Sequence, residues 1–204
     1  MHGGGPVVSP GRALPEAYVR EDVGLVERGA ANLVRHIEIA RKFGVPVVVA
    51  VNRFPTDTQR ELASVRRAAE SSGAACALAD HWARGGDGAL ELADAVAAAC
   101  RESAAPRFLY PLELPLRRKI EIIAREVYGA DGVSYTDEAE ASIDRYEALG
   151  DGNLPICMAK THLSLSHDPA RKGVPAGYTL PIREVRASIG AGFVYPLCGD
   201  MQTM

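Results

Sequence analysis

Apolar residues recur every three or four positions from Glu21 onward and then give way to a continuous apolar run. The helical spacing predicts an amphipathic helix whose apolar positions are Val23, Val26, Ala30, Leu33, Ile37 and Ala40. Gly44 follows at the place where a C-terminal cap is expected. The next run, Val45 to Val51, is apolar throughout and rich in β-branched residues, which is typical of a strand buried on both faces of a parallel sheet.

The alternation of helix-like and strand-like segments continues along the chain. "TDTQRELASVRRAAESSG" predicts a helix, with hydrogen-bond acceptors near its start and Gly73 at its end. "AACALA" predicts a second short strand, "DHWARGGDG" a loop, and "ALELADAVAAACRES" a helix. "PLRRKIEIIAREVYG" predicts a further helix, with Pro115 near its first turn and one apolar face formed by Leu116, Ile120, Ile123 and Val127.

The last third of the chain changes in character after one more helix. "DEAEASIDRYEALG" carries acids in its first turn, as the helix dipole favours. "LPICMAK" is strand-like, "THLSLSHDPARKGVPAGYT" is a long polar loop, and two strand-like runs surround "SIGAGF". Strands alternating with helices predict an α/β fold with a mostly parallel sheet flanked by helices in three layers. Residues 1–20 predict an extended N-terminal arm, and residues 21–204 the α/β domain.

Composition narrows the classes of partner. The chain has 204 residues, 47% of them hydrophobic and 24% charged, and a net charge of −3, as in an ordinary soluble globular protein. With this small net charge, the chain is not expected to bind nucleic acid or anionic lipid through its overall charge. Its apolar runs are too short to span a membrane. The N-terminus lacks a secretion signal, and the four cysteines are widely spaced, so the sequence predicts reduced thiols and a cytoplasmic location.

The segment "NRFPTDT", which follows the first predicted strand, has two interpretations. In one, Phe54 fills a core, Pro55 turns the chain and Asp57 caps the next helix. In the other, Phe54 lies in the crevice at the carboxyl edge of the sheet, where α/β proteins bind ligands. An aromatic ring there could stack on a flat heterocycle.

A second aromatic residue follows the next predicted strand. Trp82 is the only tryptophan and stands in the glycine-rich segment "DHWARGGDG". A lone tryptophan is more often part of a core than of a ligand site. Parallel strands adjacent in sequence are, however, commonly adjacent in space. Phe54 and Trp82 would then lie at the same sheet edge and form a slot for a planar ligand.

The polar loop near the C-terminus offers a third candidate site. Its polar residues are Lys160, Thr161, His162, Ser164, Ser166, His167 and Asp168. A solvated loop is one interpretation; the other is that Lys160, at a carboxyl edge, binds an anionic group. Neither serine stands in a G-x-S-x-G elbow, and the histidines lack the spacing of a metal pair, so no nucleophile and no metal site are predicted. The chain also has no G-x-x-x-x-G-K-[ST] loop.

Taken together, these motifs resemble formate–tetrahydrofolate ligase, also called formyltetrahydrofolate synthetase. The resemblance covers almost the whole chain in family order, through "MHGGG", "GVPVVVAVNRFPTDT", "HWARGGDGALELA", "KIEIIAREVYGADGV", "GNLPICMAKTHLSLSHDP" and "KGVPAGYTLPIREVRASIGAGFVYPLCGDM". "NLPICMAKTHLSLSH" is especially similar to the synthetase region of the multifunctional C1-tetrahydrofolate synthases.

The resemblance implies an ATP-dependent ligase of one-carbon metabolism and a fold related to the P-loop NTPases. Formate would be phosphorylated to formyl phosphate, which N10 of tetrahydrofolate attacks to give 10-formyltetrahydrofolate. Mg-ATP and tetrahydrofolate are the implied substrates, with a monovalent cation as a further ligand. In the family two aromatic residues hold the pterin; the matching positions here are Phe54 and Trp82, with Pro55 beside them. Nucleotide contacts are expected at Lys160, Thr161 and Ser164.

The resemblance also implies a chain truncated at both ends. It starts within a family motif, so the phosphate-binding loop and the catalytic residues are expected in a preceding segment, with residues 1–20 belonging to that missing domain. The isolated chain is then expected not to turn over ATP. Its partners would be its small-molecule substrates and further copies in a homo-oligomer of the full-length enzyme, or a separate N-terminal chain if the gene is split. The alternatives are a catalytically inert pterin-binding module and a decayed fragment.

Overall fold

The chain divides between Arg107 and Phe108 into two compact units, each with its own β-sheet. The computed structural model describes residues 5, 8, 11–158, 164–168 and 170–199. Among these residues two of the three strand pairings are parallel and helices flank both sheets, so the predicted α/β class is confirmed. The relation to P-loop NTPases and the boundary between an arm at 1–20 and one domain at 21–204 stay predictions.

The first unit follows the predicted order of elements. After a 3₁₀ turn at Glu16–Tyr18, its elements are α1 Val23–Lys42, β1 Val48–Asn52, α2 Gln59–Ser71, β2 Ala75–Ala79, α3 His81–Arg84, a 3₁₀ turn at Gly85–Ala89, and α4 Leu90–Ala99. Gly44 has a φ of +75° just past α1, a conformation that glycine adopts without steric cost. None of the helices in the described part of the chain is long and apolar enough to cross a membrane.

The core of the first unit lies between its helices and its sheet. Ile37 of α1, Ala69 of α2 and Ala74 are buried together, and Val49 of β1 and its partner Cys76 of β2 pack against them. The prediction that the first strand is buried on both faces is wrong, because the alternate position Ala50 is exposed. The described sheet of this unit has only two strands, so the side chains of β1 are not enclosed all round.

The second unit combines a helical half with a mixed sheet. Its elements are α5 Leu116–Ile123, a π-helical turn Ala124–Tyr128, β3 Gly132–Tyr135, α6 Asp137–Ala148, 3₁₀ turns at Asp151–Asn153 and Ile189–Ala191, β4 Thr179–Ser188 and β5 Phe193–Cys198. Strand β4 pairs with β3 in parallel and with β5 antiparallel. The predicted apolar face of α5 is confirmed, since Leu116, Ile120 and Ile123 are buried. The described parts of the polar loop, 164–168 and 170–178, contain neither helix nor strand, as predicted.

Two strand assignments differ from the sequence analysis. The strand predicted in "LPICMAK" is wrong for its described residues, because Ile156 forms only an isolated parallel bridge with Val194. Pro155 has no N–H to donate, and the carbonyl oxygen of Leu154 accepts from Lys119 Nζ at 3.0 Å, so a ladder cannot extend toward the N-terminus. Conversely, β3 was not predicted, because four residues that begin with glycine give little strand pattern.

The thiol of Cys198 predicts a specific loss of stability at high pH. Cys198 is fully buried at the end of β5, and burial raises its pKa to about 12. In the unfolded chain a cysteine has a pKa of about 8.5. The folded state therefore keeps a proton that the unfolded state loses, and the stability from this group falls by about 1.4 kcal/mol per pH unit above that value.

Between pH 8.5 and 10.5 we expect the wild-type chain to lose about 2 kcal/mol more unfolding free energy than Cys198→Ala. Urea unfolding at the two pH values measures this difference. Cys100→Ala is the matched control, because Cys100 is exposed. An equal loss in the Cys198→Ala variant and the wild type would show that this thiol does not contribute.

Candidate ligand-binding site

The carboxyl edge of the two-stranded sheet brings the two predicted aromatic residues to one side of the first unit. Strands β1 and β2 pair in parallel, with Asn52 opposite Ala79 at their ends. The pairing continues one residue further, since the Arg53 N–H donates to the Ala79 carbonyl oxygen at 3.1 Å. Phe54 follows directly after this bond and Trp82 stands three residues beyond Ala79. The predicted adjacency of the two strands, and so of the segments that follow them, is confirmed.

A tight turn holds Phe54 at this edge. Its backbone N–H donates to the Asp57 carboxylate at 2.7 Å, and the Asp57 N–H donates back to the Phe54 carbonyl oxygen at 3.0 Å. Pro55 lies inside this turn and is exposed. Phe54 is 65% exposed, so the interpretation that it fills a core is wrong. A large apolar ring kept at the surface by two hydrogen bonds is available for stacking.

The cap of α2 is Thr58 and not Asp57, which corrects the sequence interpretation. The Thr58 hydroxyl accepts from the Glu61 N–H at 3.3 Å, and the Glu61 carboxylate accepts from the Thr58 N–H at 3.0 Å. This reciprocal pair is a capping box. Burial by itself raises the pKa of Glu61, but hydrogen bonds from the backbone N–H groups of Asp22 and Thr58 outweigh it and lower that pKa. Because Thr58 caps the helix, the Asp57 carboxylate is available to accept from the Phe54 N–H and stabilise the turn.

Trp82 lies in a short helix, so the prediction of a loop for "DHWARGGDG" is wrong. Helix α3 and the 3₁₀ turn after it bring Gly88 back beside Asp80, the residue that precedes the helix. The Asp80 N–H donates to the Gly88 carbonyl oxygen at 2.9 Å. A Cβ at Gly88 would lie 2.2 Å from the Asp80 carbonyl oxygen, so only glycine fits there. Trp82 is 85% exposed, so it is not a core residue either.

An ion pair that the sequence analysis did not single out lies beside these rings. Arg53 Nη1 is 3.7 Å from Asp80 Oδ2, and the side chains are 39% and 17% exposed. Each residue comes directly after the paired part of its strand. That position was the available signal, because residues that follow adjacent parallel strands meet at the same edge.

A cavity of about 590 Å³ opens next to Phe54, between α1, β1 and α2. Asn52, Phe54, Thr56 and Asp57 line it from the sheet edge, and Trp82 does not line it. The cavity is large enough for part of a drug-sized ligand. Phe54 thus lines this cavity, whereas Trp82, at the same sheet edge, does not.

The predicted nucleotide-binding residues lie in the second unit. Lys160 and Thr161 are outside the described residues. Ser164 is described and has a φ of +91°, a left-handed conformation that a serine adopts only at a cost of about 1–3 kcal/mol. The neighbouring Leu165 is buried, and its carbonyl oxygen lies 2.6 Å from the Tyr178 hydroxyl, which anchors this strained backbone.

Within the described ranges, no group of three or more histidine, cysteine, aspartate or glutamate side chains could hold a metal ion.

Comparison with known proteins identifies the relatives of the chain. Residues 1–204 match the family model for formate–tetrahydrofolate ligase. The chain is 55% identical to the cytoplasmic C-1-tetrahydrofolate synthase of Homo sapiens over its whole length, which is 22% of that protein. It is 54% identical to the formate–tetrahydrofolate ligase of Desulforamulus reducens, again over the whole chain and 36% of that protein. With the mitochondrial monofunctional C1-tetrahydrofolate synthase of Mus musculus the identity is 53%, over 21% of that protein. The chain thus spans about a fifth to about a third of the length of these relatives.

Proposed function

This chain belongs to the formate–tetrahydrofolate ligase family, and we propose that it supplies the tetrahydrofolate-binding part of an enzyme that makes 10-formyltetrahydrofolate. One observation supports the folate side of this proposal above the others. Phe54 and Trp82 are both exposed, and they follow two strands that pair in parallel, so both rings stand at one sheet edge. Exposed aromatic rings bind planar heterocycles by stacking.

In the proposed reaction the oxygen of formate attacks the γ-phosphorus of ATP, and ADP leaves. The N10 lone pair of tetrahydrofolate then attacks the formyl carbon of formyl phosphate. Inorganic phosphate leaves and N10 loses its proton, so that a C–N bond replaces a C–O bond. Mg²⁺ would accompany ATP and a monovalent cation would be a further ligand. Phe54, Pro55 and Trp82 would hold the pterin, which orients N10 for this attack.

The nucleotide part of the proposal concerns Lys160, Thr161 and Ser164. A lysine ammonium is a suitable partner for a phosphate group. The strained backbone at Ser164 supports a functional role, because strained residues cluster at ligand sites. The phosphate chemistry itself would rely on residues beyond this set, so we propose that the isolated 204-residue chain does not turn over ATP. The full-length enzyme would form a homo-oligomer, and a separate N-terminal polypeptide would be the partner of this chain if the gene is split.

We also propose a cytoplasmic location. The relative from Homo sapiens is named as cytoplasmic, although the relative from Mus musculus is named as mitochondrial. The sequence pattern of widely spaced cysteines supports the cytoplasm.

Trp82 provides the test, because it is the only tryptophan and stands in the proposed site. We expect tetrahydrofolate, added to the purified chain under reducing conditions, to quench its fluorescence with saturation. ATP and formate alone are expected to leave the signal unchanged. A phosphate-release assay on the same sample is expected to show no turnover.

Each other outcome points to a different conclusion. A flat titration on a chain that melts cooperatively would contradict folate binding and leave a folded, inert module. The absence of a cooperative melt would favour a decayed fragment. Release of phosphate and formation of 10-formyltetrahydrofolate by the isolated chain would contradict the proposed division of labour.

A further inference from the structure

Four acidic residues surround the carboxyl edge of the two-stranded sheet, and three of them are already used by the backbone. The Asp22 carboxylate accepts from the Leu25 N–H at 2.8 Å, and Asp57 accepts from the Phe54 N–H. Glu61 accepts from the N–H groups of Asp22, at 2.9 Å, and Thr58. These three carboxylates stabilise helix starts and a turn. Asp80 is the fourth, and its situation differs.

Asp80 precedes α3 in the position of a helix cap, yet its side chain makes no capping hydrogen bond. Aspartate at that position normally accepts from the first turn of its helix. Here the carboxylate is directed to Arg53, and the shortest nitrogen–oxygen distance of 3.7 Å is longer than a hydrogen bond. Within the part of the chain that the structure describes, Arg53 is its one charged partner.

A carboxylate in this state has unused capacity to accept hydrogen bonds. Only 17% of the Asp80 side chain is exposed, so most of it is withdrawn from water. Polar groups withdrawn from water usually have hydrogen-bond partners, and an exception calls for an explanation. The Arg53 guanidinium nitrogen lies 3.7 Å from the nearer oxygen, so that it leaves both carboxylate oxygens open to a hydrogen-bond donor. Gly88 holds the Asp80 backbone in place, because the Gly88 carbonyl oxygen accepts from the Asp80 N–H. The absence of a Cβ at Gly88 allows the two backbones to approach closely.

The location of Asp80 suggests its ligand. It follows β2 by one residue, and it stands two residues before Trp82 and, through Arg53, next to Phe54. A planar ring that stacks on the aromatic residues would present its edge to this carboxylate. A pair of oxygens that only accept hydrogen bonds matches an edge with two neighbouring N–H donors.

We propose that Asp80 determines ring specificity by accepting two hydrogen bonds from the 2-amino group and the N3–H of the bound pterin. This inference rests on the proposed folate-binding function of the same edge. The 2-amino-4-oxo ring of a pterin has these donors side by side. A 2,4-dioxo ring, as in lumazine, has a carbonyl oxygen in place of the amino group. The partial negative charge of this oxygen would be repelled by the carboxylate. Asp80 therefore accepts the first ring and rejects the second.

The test compares two ring analogues on the wild-type chain and on two variants. 6-Methylpterin and 6-methyllumazine compete with tetrahydrofolate in calorimetric titrations. We expect the wild-type chain to bind 6-methylpterin at least about 10-fold more tightly than 6-methyllumazine, because hydrogen bonds to a charged group discriminate by about that factor or more. Asp80→Asn replaces one acceptor with a donor, so this preference is expected to vanish or reverse. Tetrahydrofolate itself should bind the variant about 10-fold more weakly.

Asp87→Asn is the matched control, since Asp87 lies in the neighbouring 3₁₀ turn and is exposed. It is expected to keep both the affinity and the ring preference. Equal binding of the two analogues to the wild-type chain would overturn the inference, even if Asp80→Asn failed to fold. So would an unchanged preference in a folded Asp80→Asn variant. If tetrahydrofolate does not bind the wild-type chain at all, the proposed function fails first, which is a distinguishable result.

Discussion

Replacing Phe54 and Trp82 together with alanine is expected to weaken tetrahydrofolate binding by about 100-fold or more. Stacking of a heterocyclic base on one aromatic side chain contributes about 1–3 kcal/mol, so two rings account for at least two orders of magnitude. Neither ring is buried, with 65% and 85% of their surfaces exposed, so the double variant should keep its fold. Isothermal titration calorimetry measures the affinity, because the variant lacks its tryptophan reporter.

The single variants refine this expectation. Phe54→Ala and Trp82→Ala should each weaken binding by about 10-fold, since each removes one stacking partner. Phe108→Ala is the matched control: Phe108 is also an exposed aromatic residue, at 55%, but it belongs to the second unit and stacks on Tyr110. Unchanged affinity in the folded double variant would show that the ligand binds elsewhere. Equal weakening by Phe108→Ala would show a general effect of losing surface aromatic residues.

Replacing Lys119 with methionine is expected to destabilise the second unit by about 2–4 kcal/mol. Lys119 is fully buried in α5, and its ammonium group donates to the carbonyl oxygens of Gly152 at 2.7 Å and Leu154 at 3.0 Å. Methionine keeps most of the volume but leaves two part-buried carbonyl groups without this donor. Each unsatisfied buried group costs about 1–3 kcal/mol. Burial lowers the pKa of Lys119, whereas the nearby Glu113 and Glu147 oppose this shift.

Urea unfolding followed by circular dichroism measures this loss. Arg118→Met is the control, because Arg118 is the next residue, is mostly exposed and forms its ion pair with Glu121 on the same helix. Surface pairs of this kind contribute about 0–1 kcal/mol. A Lys119→Met variant as stable as Arg118→Met would contradict a structural role for the buried ammonium group. Such a role is invisible in the sequence, where Lys119 is one of three consecutive basic residues.

The elements that the sequence predicted well are those whose signals are local. Helix α1 has a repeating apolar face and a glycine after its end, and helix α6 has acids in its first turn. In both cases the residues that decide the structure lie within a few positions of each other. The strands β1 and β2 were also predicted, because short apolar runs between helices are characteristic of a parallel sheet.

The secondary-structure predictions were wrong where residues distant in the sequence determine the local structure. "LPICMAK" looks like a strand, but Lys119 takes the Leu154 carbonyl oxygen and Pro155 has no N–H. Strand β3 has a weak pattern, yet its backbone pairs with β4 from Gly132 opposite Thr179 to Tyr135 opposite Ile182. Likewise "DHWARGGDG" forms helical turns, because Gly88 returns to Asp80.

The sequence by itself determined the family, the α/β class and the two aromatic candidates at the ends of adjacent strands. These depend on residue identity and on local periodicity, both of which can be read along the sequence. Only the tertiary structure decided that Phe54 and Trp82 are exposed and that the Asp80 carboxylate lies near Arg53 and does not cap α3. Exposure and the direction of a carboxylate depend on which backbone groups lie nearby after folding, and no local pattern encodes them.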